Sequence, residues 1–483
     1  MASTHPLELT EVVSNVACFV SFRSLPACAR VSKTWYQAFI PIIWRDIRLN
    51  RGRAHPPKAI QSHAHLVRTL DIDCPLIQEH VDLRLPSLNH LDMDSQNEAS
   101  TLELVFEHPT LIHLKLWGLV SEPPRLFWEN LLVFQNLRDL TLSYVNISEE
   151  EDIDKFWELC MQLERLDIRR QQITMRGTLL SRQFSHIRDL TMGCFHGCDV
   201  PLTMEFIQRC PNLTSYEWMA DPSVDTLFIP EFTRLLTTAT WRNLDSVFLR
   251  SPWIAGDDIS KVVGSMRRIA ALGMSGAMSV GPDFMASLRP FFFTIQKLVL
   301  AAKDITSTMA QEVMSSCPTM ETFTALSIND IDIVEGQPWV CLRLRVLHVM
   351  FHFNPSAISY RQPLVFEQLS RLTRLEELDI GGGRLLDRPG GFVFQELSDL
   401  RLENGLDKLS TLRLLRVLDF KKARQKMEEQ EIEWMIEHWK SLDEIHGGLN
   451  LWDHHLEMLL VGRLREHGIA SHRIAWHQWD KVE

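Results

Sequence analysis

The chain has 483 residues, 45% hydrophobic and 23% charged, the makeup of an ordinary soluble globular protein with ample material for a core. Its 50 Lys and Arg against 62 Asp and Glu leave a net charge of -12, which argues against a generic binder of nucleic acid or anionic membrane. Disordered and collagen-like classes are excluded by composition, and no window approaches the roughly 18 consecutive apolar residues of a membrane span.

The first 60 residues carry eight Lys/Arg (23, 30, 33, 45, 48, 51, 53, 58) and three acids (8, 11, 46), a net of +5, so the remainder carries -17. A small basic head precedes a large acidic body. Val12 to Phe22 is apolar, but Glu8 and Glu11 precede it where a secretory signal would be basic, so a signal peptide is rejected. The nine cysteines are odd in number and scattered, and read as reduced thiols of an intracellular chain, cytoplasmic or nuclear.

In chain order, Leu9, Val12, Val13, Val16 and Val20 fall at helical spacing, Ser24-Leu-Pro restarts the chain, and Val31, Trp35 and Phe39 mark a second amphipathic helix before Trp44. This predicts a helical module over 1–48, followed by a linker over 49–65 that contains Pro56-Pro57. From residue 67 onward the pattern L-x-x-L-x-L recurs. Leu88-Asn-His-Leu91-Asp-Met93, Leu111-Ile-His-Leu114-Lys-Leu116, Leu137-Arg-Asp-Leu140-Thr-Leu142 and Leu163-Glu-Arg-Leu166-Asp-Ile168 are nearly interchangeable. First apolar positions fall at 67, 88, 111, 137, 163, 187, 213, 244, 269, 295, 320, 344, 375, 397, 415 and 442. A spacing of about 25 residues is the leucine-rich-repeat period.

The second and third apolar positions lie two apart and enter a core from one side of a strand, while the residues between them face out. Each unit cannot bury its own apolar edge, and stacking buries it. The expected fold is α/β: a leucine-rich-repeat solenoid of about 16 units over 66–448, a horseshoe with a parallel inner sheet and outer helices. The 31-residue intervals 213–244 and 344–375 predict protruding loops around Asp221-Pro222 and Asn354-Pro355. The 18-residue interval 397–415 predicts a degenerate unit, and Leu456, Leu459, Leu460 and Leu464 predict a capping helix within 449–483.

Within the head, Pro6-Leu-Glu-Leu9, Leu25-Pro-Ala-Cys28-Ala-Arg30-Val31-Ser32-Lys33-Thr-Trp35 and Trp44-Arg-Asp-Ile47 together resemble an F-box, a small all-α module. The chain as a whole resembles the F-box/leucine-rich-repeat family, of the fungal type. That resemblance implies a non-catalytic substrate receptor of an SCF-type cullin-RING ubiquitin ligase, whose head docks on a Skp-family adaptor. It implies adaptor contacts or module-core roles for Pro6, Leu7, Leu25, Val31 and Trp35. The basic head is consistent with the acidic adaptors of that family. A second reading is a repeat scaffold or inhibitor working without any ligase, with the head as an N-terminal cap.

A protein target is expected along the concave face, anchored by Trp117, Arg165, Arg169, Phe248 and Arg250, since aromatic and arginine side chains dominate protein interfaces. Neither a nucleic-acid nor a membrane partner is expected, nor any cofactor. Cys194-Phe-His196-Gly-Cys198 has no second ligand cluster of matching spacing, and His454-His455 beside Glu457 lacks the H-E-x-x-H spacing, so no metal site is expected. Cys160, Cys210 and Cys317 each stand three residues before a repeat's first apolar position and read as packing residues. Lys421–Lys426, followed by acidic residues, reads as a run along one self-supporting helix.

Overall fold

The structure is a computed structural model and describes residues 10–17, 19–20, 24–50, 55–73, 76–94, 98–118, 126–143, 146–147, 149–169, 172–173, 182–192, 200–219, 225–238, 240–251, 254–275, 279–302, 304–354, 356–381, 398–421 and 423–472. Fifteen of the sixteen expected repeats carry a strand, and every one of these begins two residues after the repeat's first apolar position, as at His90, His113, Asp139 and Arg165. The protein has a leucine-rich-repeat solenoid fold. It divides into two compact units, 1–221 with 240–243, and 222–239 with 244–483.

The first unit opens with three helices, Thr10–Ala17, Leu25–Ala29 and Lys33–Ile43. Ser32 caps the third, its hydroxyl accepting from Trp35 N at 3.3 Å. Only Trp44 and Arg45 separate that helix from a strand, Asp46–Leu49, which pairs parallel with Thr69–Ile72. The sheet therefore starts inside the expected head, one strand earlier than residue 66. The expected linker is that strand's return segment and contains the helix Pro57–Ser62. Trp44 stacks on His63 of this segment, ring centroids 4.3 Å apart.

Parallel pairing continues through His90–Asp94, His113–Trp117, Asp139–Ser143, Arg165–Arg169, Asp189–Met192 and Ser215–Met219. Leucines at alternate strand positions are fully buried, for example Leu91, Leu114, Leu140 and Leu166, and their neighbours along the strand stay partly open. Behind them rings pack from repeat to repeat: Trp128 on Phe156 at 5.2 Å, Phe156 on Trp157 at 4.9 Å and Trp157 on Phe206 at 5.0 Å.

The second unit stacks Ser246–Arg250, Ala271–Ser275, Lys297–Ala301, Thr322–Asn329, Val346–His352, Glu377–Asp379, Val417–Asp419, Glu444–His446 and Ala470–His472, again parallel. The last of these strands lies within the expected cap, after the helix His454–Glu466. The extra length of the 31-residue intervals goes into helices of 13 residues, Asp225–Thr237 and Ile358–Ser370. The expected loop tips at Asp221-Pro222 and Pro355 lie outside the described residues.

The repeat expected at 397 forms no strand among its described residues, and Glu377–Asp379 pairs directly with Val417–Asp419. Two buried glutamines replace the strand ladder there. Gln425 accepts from Leu400 N at 2.8 Å and donates to Ser398 O at 2.7 Å, while Gln362 accepts from Asp399 N at 2.9 Å and donates to Asp399 O at 2.6 Å. Each amide side chain both donates and accepts, Gln362 donating also to Asn404 O at 3.0 Å, so backbone that would otherwise be buried unpaired is satisfied.

One further buried column was only partly legible. The residue three before each first apolar position is buried in repeat after repeat: Leu85, His108, Phe134, Cys160, Phe184, Cys210, Trp241, Cys317, Cys341 and Trp439. The carbonyl of several of these accepts from the first apolar residue's N–H, as His108 does from Leu111, closing a turn that launches the strand.

Candidate functional site

The head holds its own small core of Val13, Ala17, Leu25, Ala29, Ala38 and Phe39. Leu25 is 2% exposed and fills this core, the module-core role of the two that the resemblance implies. Trp35 is half-buried and stacks on Phe39, rings 5.3 Å apart and nearly parallel, so most of it also serves the core. Val31 is different. It is 64% exposed, Tyr36 is 48% exposed and Phe19 is 89% exposed. With Ser32 as the cap, Val31 and Tyr36 take the N′ and N4 positions, which a capped helix places side by side. Pro6 and Leu7 lie outside the described residues.

On the first unit's sheet, the face away from the buried leucines carries in-register columns of polar residues. One column runs Thr69, His90, His113, Asp139, Arg165, Asp189 and Ser215. Its side chains are joined: His113 Nδ1 meets Asp139 Oδ2 at 2.5 Å, Arg165 Nη1 meets Asp139 Oδ2 at 3.3 Å, and Arg165 Nε donates to Asp189 Oδ2 at 3.1 Å. The next column runs Arg48, Asp71, Asp92, Lys115, Thr141 and Asp167. Burial, then the carboxylate of Asp92 beside it, raises the Asp71 carboxyl above its ordinary value.

Two of the expected anchors therefore belong to the face's own network. Trp117 donates its indole N–H to Asp92 at 2.8 Å, and Arg165 lies between two carboxylates. This holds their rings and guanidinium planes in place as a preorganised surface of the kind that loses little entropy on contact. Arg169 closes its strand opposite Ser143, and its side chain lies outside the description.

In the second unit the corresponding column runs Phe248, Gly273, Val299, Thr324, His348, Asp379, Asp419, His446 and His472. Phe248 lies across Gly273, where a Cβ would come within 2.1 Å of the ring, and Lys297 Nζ stands 5.0 Å from the ring centroid. Arg250 is exposed at the strand end. Asp379 and Asp419 stand at strand positions that alternation turns away from the leucines, yet they are buried: each carboxylate accepts from a backbone N–H two residues on, Gly381 at 2.9 Å and Lys421 at 3.0 Å.

The basic run also sits differently from its expected place. The helix begins at Glu429, after the run; Lys421 pairs with Asp419 at 3.2 Å, and Lys426 bridges to Asn450. Glu457, beside His454-His455, is buried and accepts from Asn450 N.

Cys160, Cys210, Cys317 and Cys341 are buried, and burial pushes the Cys317 and Cys341 thiols up to about 12, which keeps them protonated and unreactive. Cys194, His196 and Cys198 lie outside the described residues. Instead, the last two strands bring Glu444, His446 and His472 together, their ligand atoms all within 4.8 Å of one another. Spacing along the chain does not show this group, but the repeat period does, because 446 and 472 are one repeat apart and directly paired. Among the described residues no helix is long and apolar enough to cross a membrane.

No protein-family model matches the sequence, and neither does any curated protein. Among solved structures the chain is similar to one in the crystal structure of the Rad7 and Elc1 complex in yeast, at 14% identity and a TM-score of 0.43, covering 93% of this chain and 94% of that one. It is similar to the TLR13–ssRNA13 complex at 11% identity and a TM-score of 0.33, over 83% of this chain and 73% of that one. An internalin from Listeria monocytogenes matches at 11% identity and a TM-score of 0.26, over 98% and 99% of the two chains.

Proposed function

We propose that this protein is a non-catalytic substrate-recognition subunit of an SCF-type cullin-RING ubiquitin ligase, acting in the cytoplasm or nucleus, with its head on a Skp-family adaptor and its repeats on a protein target. The observation that carries this reading is the exposure of Val31 within the head's F-box-like segment, 64% open to solvent beside a helix cap. A module of three short helices cannot hide all its apolar residues, and among the described residues Phe19, Val31 and Tyr36 are the large ones it leaves outside. The two-residue connection from Ile43 to Asp46 supports the same role, because it ties the head directly to the first strand.

Co-expression of the full chain with a Skp-family adaptor tests it. The wild type should co-purify as a stable complex. Val31→Asp places a charge in the middle of the contact and should abolish co-purification while leaving the thermal midpoint unchanged, since Val31 contributes little to the head's core. Failure of the folded wild type to bind, or binding by Val31→Asp at wild-type strength, contradicts the proposal and leaves the scaffold reading.

A further inference from the structure

We propose that Glu444, His446 and His472 form a binding site for a divalent transition-metal ion of the zinc class, which fastens the last strand to the sheet. Glu444 and His446 lie two apart on one strand and so project from the same face. His472 is the direct parallel partner of His446 on the neighbouring strand. Three donors thus converge from two hydrogen-bonded strands, a rigid frame rather than a loop.

The distances suit such an ion. His446 Nε2 is 3.0 Å from Glu444 Oε2, and His472 Nε2 is 3.7 Å from the same oxygen. Zinc with ligands at roughly 2.0–2.2 Å in tetrahedral array requires donors about 3.3 Å apart, between these two values. The imidazole rings lie 4.7 Å apart at 33°, leaving their nitrogens beside the carboxylate rather than stacked flat.

Two imidazoles and one carboxylate favour zinc-class ions over magnesium or calcium, which prefer oxygen donors. Glu444 and His472 are about half exposed, with side-chain exposures of 42% and 52%, so the fourth position opens to solvent. The structural consequence follows from where the site sits. Ala470–His472 is a strand of three residues, paired with Glu444–His446. A strand this short gains little from its own ladder, and a ligand bound only when it is docked stabilises the docked state by mass action.

The test is calorimetric titration of Zn²⁺ into the chelator-treated full chain, with His472→Ala and Glu444→Gln in parallel. The wild type should bind one more equivalent than His472→Ala, and Glu444→Gln should weaken that equivalent by about tenfold or more, the loss typical even of residues that only support a metal ligand. Zn²⁺ should raise the thermal midpoint of the wild type but not of His472→Ala, while Mg²⁺ should raise neither. Equal stoichiometry in wild type and His472→Ala overturns the proposal. Matching thermal midpoints of the two proteins in chelator confirm that the comparison is between folded chains, and if His472→Ala unfolds, His472→Gln takes its place with the same two outcomes.

Discussion

In the first unit the open-face column Arg48, Asp71, Asp92, Lys115 sets a base beside each acid, Arg48 meeting Asp71 at 3.9 Å and Lys115 meeting Asp92 at 3.7 Å, each a repeat away. In the second unit the corresponding column begins with Phe248 over Gly273 and ends with Asp379, Asp419, His446 and His472, so like groups accumulate. Both columns come from the same in-register parallel pairing. What differs is whether neighbours one repeat apart cancel each other. Where they cancel, the face is a fixed polar surface suited to contact with a protein. Where they do not, the carboxylates sink into backbone turns and the histidines converge with Glu444.

The comparison is sharpest in the energetics. Gln425→Leu would leave Leu400 N and Ser398 O buried without partners, at about 1–3 kcal/mol for each group, so urea unfolding should show a loss of about 2–6 kcal/mol. Acid should act next, in the first unit. Burial lowers the His108 pKa from its ordinary value near 6.5, and the folded ring accepts from Leu85 N. Below about pH 6.5 the unfolded chain binds a proton that folded His108 refuses, so stability falls as pH falls, by at most about 1.4 kcal/mol per unit. His108→Gln should flatten that part of the urea-midpoint profile between about pH 7 and about pH 5.

Asp139→Ala should cost only about 1 kcal/mol in spite of serving both His113 and Arg165, because those two partners keep 38% and 60% of their side chains in water. A loss from Asp139→Ala as large as that from Gln425→Leu would break the distinction between the polar face and the buried amide stitches. The smallest effect is expected for Lys297→Ala beside Phe248, about 0.5 kcal/mol by the same unfolding measurement.

Most of the repeat fold was legible because leucine spacing is the direct imprint of the core. The first strand was missed although Trp44-Arg-Asp-Ile47-Arg-Leu49 carries the same pattern with Trp in the leading place, since the F-box-like context drew Trp44 into the head. Leu397-Ser-Asp-Leu400-Arg-Leu402 has a faultless pattern and yet lacks a strand at its described positions, because the next repeat follows too soon and Gln362 and Gln425 satisfy the backbone instead. Ala470–His472 has no leucine pattern at all, and among the described residues Ile469 is the buried one beside it. Residues of the face could be assigned from alternation, but not their partners: that Trp117 is tied to Asp92, or that Leu25 turns inward, depends on register and helix packing that no single repeat encodes.

Hydrogen–deuterium exchange of the full chain with and without a Skp-family adaptor tests the central claim most directly. Docking through the head predicts new protection in the segment from Ser24 through Trp44, strongest around Val31 and Tyr36, with the strands from His90 onward unchanged. Protection confined to the sheet faces, or none in the head at saturating adaptor, would contradict it.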